Sequence, residues 1–217
     1  MHPLRVKICG VTTSDDVVAC AAAGADAVGV NFHPGSKRYV DPRAVQPLLR
    51  SVPPLLSAVG VFVGMPFRHI TALAYQLGLR GVQYHGDPQP PEDLFPFSLV
   101  AAFRVRDEQS LTGIDRYLDA CRAVGQLPGA ILLDAFVDGQ EGGTGTTAPW
   151  ELIADYRPGV PVILAGGLTP DNVGEAIRTV RPAGVDVASG VESAPGKKDP
   201  EKVRAFVANA REVAAGL

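Results

Sequence analysis

Two residues able to transfer protons stand where apolar runs stop. Cys9 closes the run Val6-Lys7-Ile8, and Asp134 follows Ile131-Leu132-Leu133. A thiol acts as a base only as its thiolate, a form that a nearby ammonium favours. Side chains alternate along a strand, so Lys7 and Cys9 share a face if the first run is a strand. A carboxylate at the end of a buried strand is partly desolvated, which raises its pKa towards a value useful in a general acid. Position alone leaves plainer readings open. Cys9 also fits a small buried apolar residue, and Asp134 a cap for the following loop. Cys20 and Cys121 fall in helical stretches and read as core.

Other polar residues gather at similar places. Gln83 and His85, two apart, share a face and suit substrate contact, or for His85 a packed structural role. A single histidine without carboxylate or histidine partners nearby is poor evidence for a metal site. Arg38, in the basic stretch Ser36-Lys37-Arg38, has the planar fork that recognises a carboxylate, although such a stretch by itself reads as a solvated loop. Gly143 and Gly145, Gly166 and Gly167, and Ser189 and Gly190 follow three successive runs. They suggest backbone N–H groups arranged around a phosphate. There is no Gly-Lys-Ser/Thr at P-loop spacing. Nor does a ribose-binding acid follow at the distance of a dinucleotide fingerprint.

The elements that must position these residues alternate. Apolar runs occur at Val6–Cys9, Ala27–Phe32, Leu56–Phe62, Gly81–Tyr84, Leu99–Phe103, Ala130–Leu133, Val162–Ala165 and Val185–Ala188. They lack clean polar alternation, as strands buried on both faces do. Helical stretches lie between them. Asp41-Pro42, Thr169-Pro170 and Asp199-Pro200 each place an N-cap before a proline. Ser14-Asp15-Asp16 loads acid near the start of the first helix, and Gly24, Gly78 and Gly125 suit helix ends. The proline-rich stretch Asp87–Pro91 leaves room for only a short fourth helix. Eight strands with about eight helices predict an α/β fold, a (β/α)8 TIM barrel formed as a single domain over residues 1–217. The active site is then expected at the carboxyl ends of the strands, where the polar residues above cluster.

Bulk properties narrow the function. The 217 residues are 46% hydrophobic and 20% charged, with a formal net charge of −3. That balance argues against a nucleic-acid partner. No apolar stretch reaches the length of a membrane span, and the N-terminus lacks a signal-peptide core, so no membrane partner and a cytoplasmic location are expected. Three widely spaced cysteines without a CxxC fit a reducing compartment and argue against disulfides or structural zinc.

These motifs together resemble the phosphoribosylanthranilate isomerase family of tryptophan biosynthesis. The matching segments are KICG at 7–10, NFHPGSKR at 31–38, GVF at 60–62, QYHG at 83–86, LLDA at 132–135, GGTG at 142–145, LAGGLTPDNV at 164–173, GVDVASGVES at 184–193 and PGKKD at 195–199. They run in family order across nearly the whole chain. The resemblance implies an Amadori rearrangement of N-(5-phosphoribosyl)anthranilate to 1-(2-carboxyphenylamino)-1-deoxyribulose 5-phosphate. It implies Cys9 as general base, Asp134 as general acid, Arg38 on the anthranilate carboxylate and the late glycines on the phosphate. Lys7, Gln83 and His85 are expected to contact the substrate. The substrate's own iminium is the electron sink, so no metal or organic cofactor is expected. The protein is expected to act as a monomer or homodimer on this small phosphoribosyl substrate.

The chain departs from the family pattern at Thr146-Thr147-Ala148-Pro149-Trp150, where Lys-x-Phe-Asp-Trp is frequent, and at Ala188, where serine is common. Two rivals stand beside this reading. A bifunctional barrel isomerase that also serves histidine biosynthesis uses an aspartate on the first strand, where this chain has Cys9. A non-catalytic phosphate-ligand binding barrel is the other, because fold alone does not fix function.

Overall fold

The computed structural model describes residues 4–86, 90, 96–135 and 150–217. Eight parallel strands close into a barrel in sequence order. They are β1 (Arg5–Cys9), β2 (Ala27–Asn31), β3 (Ser57–Val63), β4 (Gly81–His85), β5 (Ser98–Arg104), β6 (Ala130–Asp134), β7 (Val162–Ala165) and β8 (Gly184–Val187). Each agrees with an apolar run of the sequence to within one residue at either end. Around them lie α1 (Ser14–Ala22), α2 (Gln46–Arg50), α3 (Phe67–Leu77), α4 (Glu108–Ala123), α5 (Trp150–Ala154), α6 (Val173–Val180) and α7 (Pro200–Ala215). A small antiparallel hairpin, β9 (Glu192–Ala194) and β10 (Lys197–Lys198), follows β8. Apart from Pro90, the expected fourth helix lies outside the described residues.

Local chemistry explains where the helices begin. Thr13 and Asp16 form a reciprocal capping box at α1: the Asp16 N–H donates to Thr13 Oγ1, and the Thr13 N–H donates to Asp16 Oδ2. Asp199 accepts from the N–H groups of Glu201 and Lys202 ahead of Pro200, as the sequence predicts. The other two proline signals do not start helices. Asp41 instead binds the Arg43 guanidinium and backbone N–H in a turn, and α2 starts later, at Gln46. Thr169 and Asn172 exchange backbone-to-side-chain bonds in a turn that delays α6 to Val173. Asx and Ser/Thr turns compete with helix starts for the same residues.

Alternation along the strands separates two cores. Outward residues such as Ile8, Val30, Phe62, Ile131 and Leu164 join Val17, Ile70, Leu118, Ile177 and Phe206 of the helices in one cluster. Inward residues form a second, smaller cluster of Ala102, Leu132 and Ala165, with Val100 and Ile163 against it. That inner cluster belongs to β5, β6 and β7 only. Facing inward elsewhere around the ring are Lys7, Gln83 and Asp186, all buried and polar.

Candidate active site

Cys9 ends β1 and pairs in register with Gly29 of β2. A Cβ placed at Gly29 would lie 2.8 Å from Cys9 Sγ and 3.1 Å from Lys7 Nζ, so the missing side chain makes room for both groups. Lys7 sits two residues earlier, and its ammonium donates to Asp186 Oδ1 at 2.8 Å. Lys7 and Asp186 are register partners across β1 and β8, and each side chain is only 8% exposed. Breaking such a buried pair by removing one partner costs about 3–5 kcal/mol. Burial works against the Lys7 charge, but Asp186 and Cys9 outweigh it and raise the pKa. Burial likewise drives the Cys9 thiol above its usual range, while Lys7 and Lys198 pull it down and Asp186 adds to the rise. The neighbouring ammonium thus has the sign expected from sequence, but burial and Asp186 outweigh it.

A second charged cluster caps this side. Arg38 grips Glu192 with both Nε and Nη2, at 2.7 and 2.8 Å, and Lys198 Nζ reaches the same carboxylate at 2.8 Å. Burial opposes the Glu192 charge, yet the two cations hold its pKa below the ordinary carboxylate range. The Lys198 N–H donates to Asp16, and Thr12 Oγ1 donates to the Gly196 carbonyl, so the hairpin is tied to α1 and to the loop before it. Gly10, with positive φ, lies against the Arg38 side chain, and a Cβ there would collide with its Cδ. Arg38 therefore sits directly over the end of β1 with one edge of its guanidinium committed to Glu192.

On β4, His85 stands above Gln83, whose Nε2 is 2.9 Å from His85 Nε2. Burial, Lys7 and Arg104 push the His85 pKa down to about 4 against the opposing effect of Asp186. The imidazole is neutral at pH 7, and the Gln83 amide selects its tautomer. Gln83 is almost fully buried, and its Oε1 has no hydrogen-bond partner among the described residues.

Across the barrel, Asp134 ends β6, flanked in register by Arg104 of β5 and Ala165 of β7. It is partly buried. The next inward residue below it is Leu132, in the apolar inner cluster. Backbone bonds from Val105 to the Asp134 carbonyl and from Ala135 to the Ala165 carbonyl fix the chain on both sides.

The glycine-rich ends are joined as well. Gly166 and Gly167 follow β7 with φ of 91° and 64°. Ser189 and Gly190 form a short 3₁₀ turn after β8. A side chain at Gly190 would strike the Leu168 carbonyl, so the two loops touch through backbone. Gly143 and Gly145, with the Thr146–Trp150 departure up to Pro149, lie outside the described residues.

Reading only strand ends overlooks several residues. Asp186 was visible as the polar residue inside Val185-Asp186-Val187, and Gly29 as a glycine inside an apolar run. Asp16 read as a helix-dipole acid, whereas its carboxylate also receives the hairpin. Glu192 and Lys198 lay within the segments at 184–193 and 195–199 without being singled out, and Arg104 carried no signal. Among the described residues, no group of three or more His, Cys, Asp or Glu side chains is assembled for a metal. No described helix is long and apolar enough to cross a membrane.

The family model "N-(5'phosphoribosyl)anthranilate (PRA) isomerase" matches residues 6–209. A curated relative, the N-(5'-phosphoribosyl)anthranilate isomerase of Geobacter sulfurreducens, is 44% identical over 96% of this chain and 98% of its own length. The crystal structure of phosphoribosyl anthranilate isomerase from Thermotoga maritima superimposes with a TM-score of 0.83 at 37% identity, covering 96% of this chain and 99% of the other. A further structure, of the isomerase in complex with reduced 1-(o-carboxyphenylamino)-1-deoxyribulose 5-phosphate, gives a TM-score of 0.80 at 35% identity over 96% and 99% of the two chains.

Proposed function

The chain belongs to the N-(5'-phosphoribosyl)anthranilate isomerase family, and on that premise we propose that Cys9 is the general base of its reaction and Asp134 the general acid. The protein is an isomerase of tryptophan biosynthesis that converts N-(5-phosphoribosyl)anthranilate to 1-(2-carboxyphenylamino)-1-deoxyribulose 5-phosphate. The observation that carries the assignment is the placement of a thiol and a carboxyl group at the carboxyl ends of β1 and β6, on opposite walls of one barrel.

The chemistry requires one group to give a proton and one to take it. Asp134 donates its proton to the furanose ring oxygen as the C1–O bond breaks, and the nitrogen lone pair forms the C1=N iminium. Cys9 thiolate removes the C2 proton, and the C2–H electrons form the C1=C2 bond of an enolamine as the iminium is neutralised. The enolamine then gains a proton at C1 and loses its C2 hydroxyl proton, leaving the ketone. No net oxidation or reduction occurs.

Binding uses the remaining groups. Arg38, held by Glu192, offers the free part of its fork to the anthranilate carboxylate. The backbone of Gly166-Gly167 and Ser189-Gly190 receives the phosphate. Neutral His85, set by Gln83, contacts the sugar as a hydrogen-bond partner without adding charge. Lys7 serves this site from below, through Cys9.

Freshly prepared N-(5-phosphoribosyl)anthranilate is the direct test. Its fluorescence should disappear in proportion to the purified protein, and ketone product should accumulate. Fluorescence loss no faster than without protein would remove the activity. Turnover that survives intact in both Cys9→Ser and Asp134→Asn would remove the two roles.

A further inference from the structure

Asp186 is the inward-facing charge that the proton transfers above leave unused. It lies on β8, next to the strand that carries the base, and its only hydrogen bond among the described residues is to Lys7. We propose that Asp186 is a positioning residue for the base: it anchors the Lys7 ammonium beside Cys9, cancels part of that charge, and so keeps the Cys9 thiolate a strong proton acceptor. This rests on Cys9 being the base.

The geometry gives a chain of three groups. Asp186 Oδ1 lies 2.8 Å from Lys7 Nζ. Nζ and Cys9 Sγ crowd the same empty position beside Gly29, 3.1 and 2.8 Å from it. A Lys side chain has three rotatable donors and needs an anchor to hold one direction, and a carboxylate almost excluded from solvent supplies it. The charges facing Cys9 come from four elements: Lys7 on β1, Asp186 on β8, Lys198 on β10 and Arg38 from the loop after β2. Lys198 and Arg38 share Glu192 between them. His85 on β4 is neutral at pH 7 and adds no charge. Counted as +3 from the cations and −2 from Asp186 and Glu192, the surroundings are left with one net positive charge. That excess favours the thiolate, against the burial that holds the thiol above its usual range. Without Asp186 the excess would be two, and the thiolate would form more readily but pull protons from carbon less strongly. Without Lys7 the excess vanishes, with Asp186 left facing the sulfur.

The two changes therefore act in opposite directions, which loss of packing alone would not produce. Thiolate absorbance in the ultraviolet, followed against pH, reads this directly once the same titration of the Cys9→Ser counterpart is subtracted. Asp186→Asn should make Cys9 ionise at about tenfold higher proton concentration than in the wild type, and Lys7→Gln at about tenfold lower. Asp186→Glu should return the midpoint towards the wild type. In turnover, Asp186→Asn should lower kcat about tenfold or more while leaving KM within about twofold. Midpoints that do not move, or that move the same way in both variants, overturn the proposal. Should Asp186→Asn fail to fold, Lys7→Gln decides alone, and the absence of an upward midpoint shift overturns it. Full turnover in Cys9→Ser would sink the base assignment instead, a result the absorbance titration does not share.

Discussion

The β8–β1 wall of the barrel and the β5–β6–β7 wall opposite it are built from different material. Behind Cys9 stand Lys7, Asp186, Arg38, Glu192 and Lys198, each held by a counter-charge. Beneath Asp134 lie Leu132 and Ala102 of the apolar inner cluster, and Ala165 flanks it in register. A thiolate in a dry interior needs cations, and the first wall supplies them. The carboxyl group on the second wall stands above apolar side chains instead, with Arg104 of β5 beside it in register. One barrel thus gives the two groups proposed to exchange protons with the substrate two different surroundings.

That contrast can be broken from either wall. The largest effect is expected from removing the groups themselves: Cys9→Ser and Asp134→Asn should each lower kcat about 10²–10⁴-fold in steady-state assays. On the charged wall, Arg38→Ala should raise KM about ten- to hundredfold, as loss of a charged hydrogen bond does. Glu192→Gln should raise it less, because the guanidinium remains but loses its clamp. Gly29→Ala probes the space between the charges. Its new methyl would press on Sγ and Nζ, so it should lower kcat and cost about 1–3 kcal/mol in denaturant unfolding, as overpacking does. Unchanged stability and rate would show that this crowding is not felt.

The smallest expected effect is on the pH dependence of stability. The folded state holds the His85 pKa at about 4, against 6.5 for the free side chain. The unfolded chain therefore binds the proton first, and stability falls as pH drops from about 6.5 towards 4. Between pH 7 and 5 the wild type should lose about 2 kcal/mol more than His85→Gln in paired denaturant titrations. Equal losses would mean that His85 is not held neutral by its surroundings.

The difference between the walls also marks what sequence could reveal. All eight strands were legible, because a strand buried on both faces needs an unbroken apolar run, and Val162–Ala165 coincides with β7. Cys9, Asp134, Gln83 and His85 stood out as polar residues at or near strand ends. Lys7 and Arg38 of the charged wall stood out too, but the pairing of its charges did not. Arg38 with Glu192 and Lys7 with Asp186 join residues 154 and 179 positions apart, and only closure of β8 onto β1 brings them together. Asp41-Pro42 and Thr169-Pro170 carry the signal of a helix start but begin no helix, because their side chains close turns instead. The apolar inner cluster was hidden for another reason: Ala102 and Ala165 are unremarkable alanines until the register places them beside Leu132.

The central claim is that the two walls divide the proton transfers, with Cys9 acting on carbon and Asp134 on oxygen. Substrate deuterated at ribose C2 separates those steps. In Cys9→Ser the transfer from carbon becomes limiting, and the slowed reaction should show a full primary isotope effect on kcat. In Asp134→Asn ring opening becomes limiting, and the isotope effect should collapse towards one. The reverse pattern, or equal isotope effects in the two variants, would contradict the assignment.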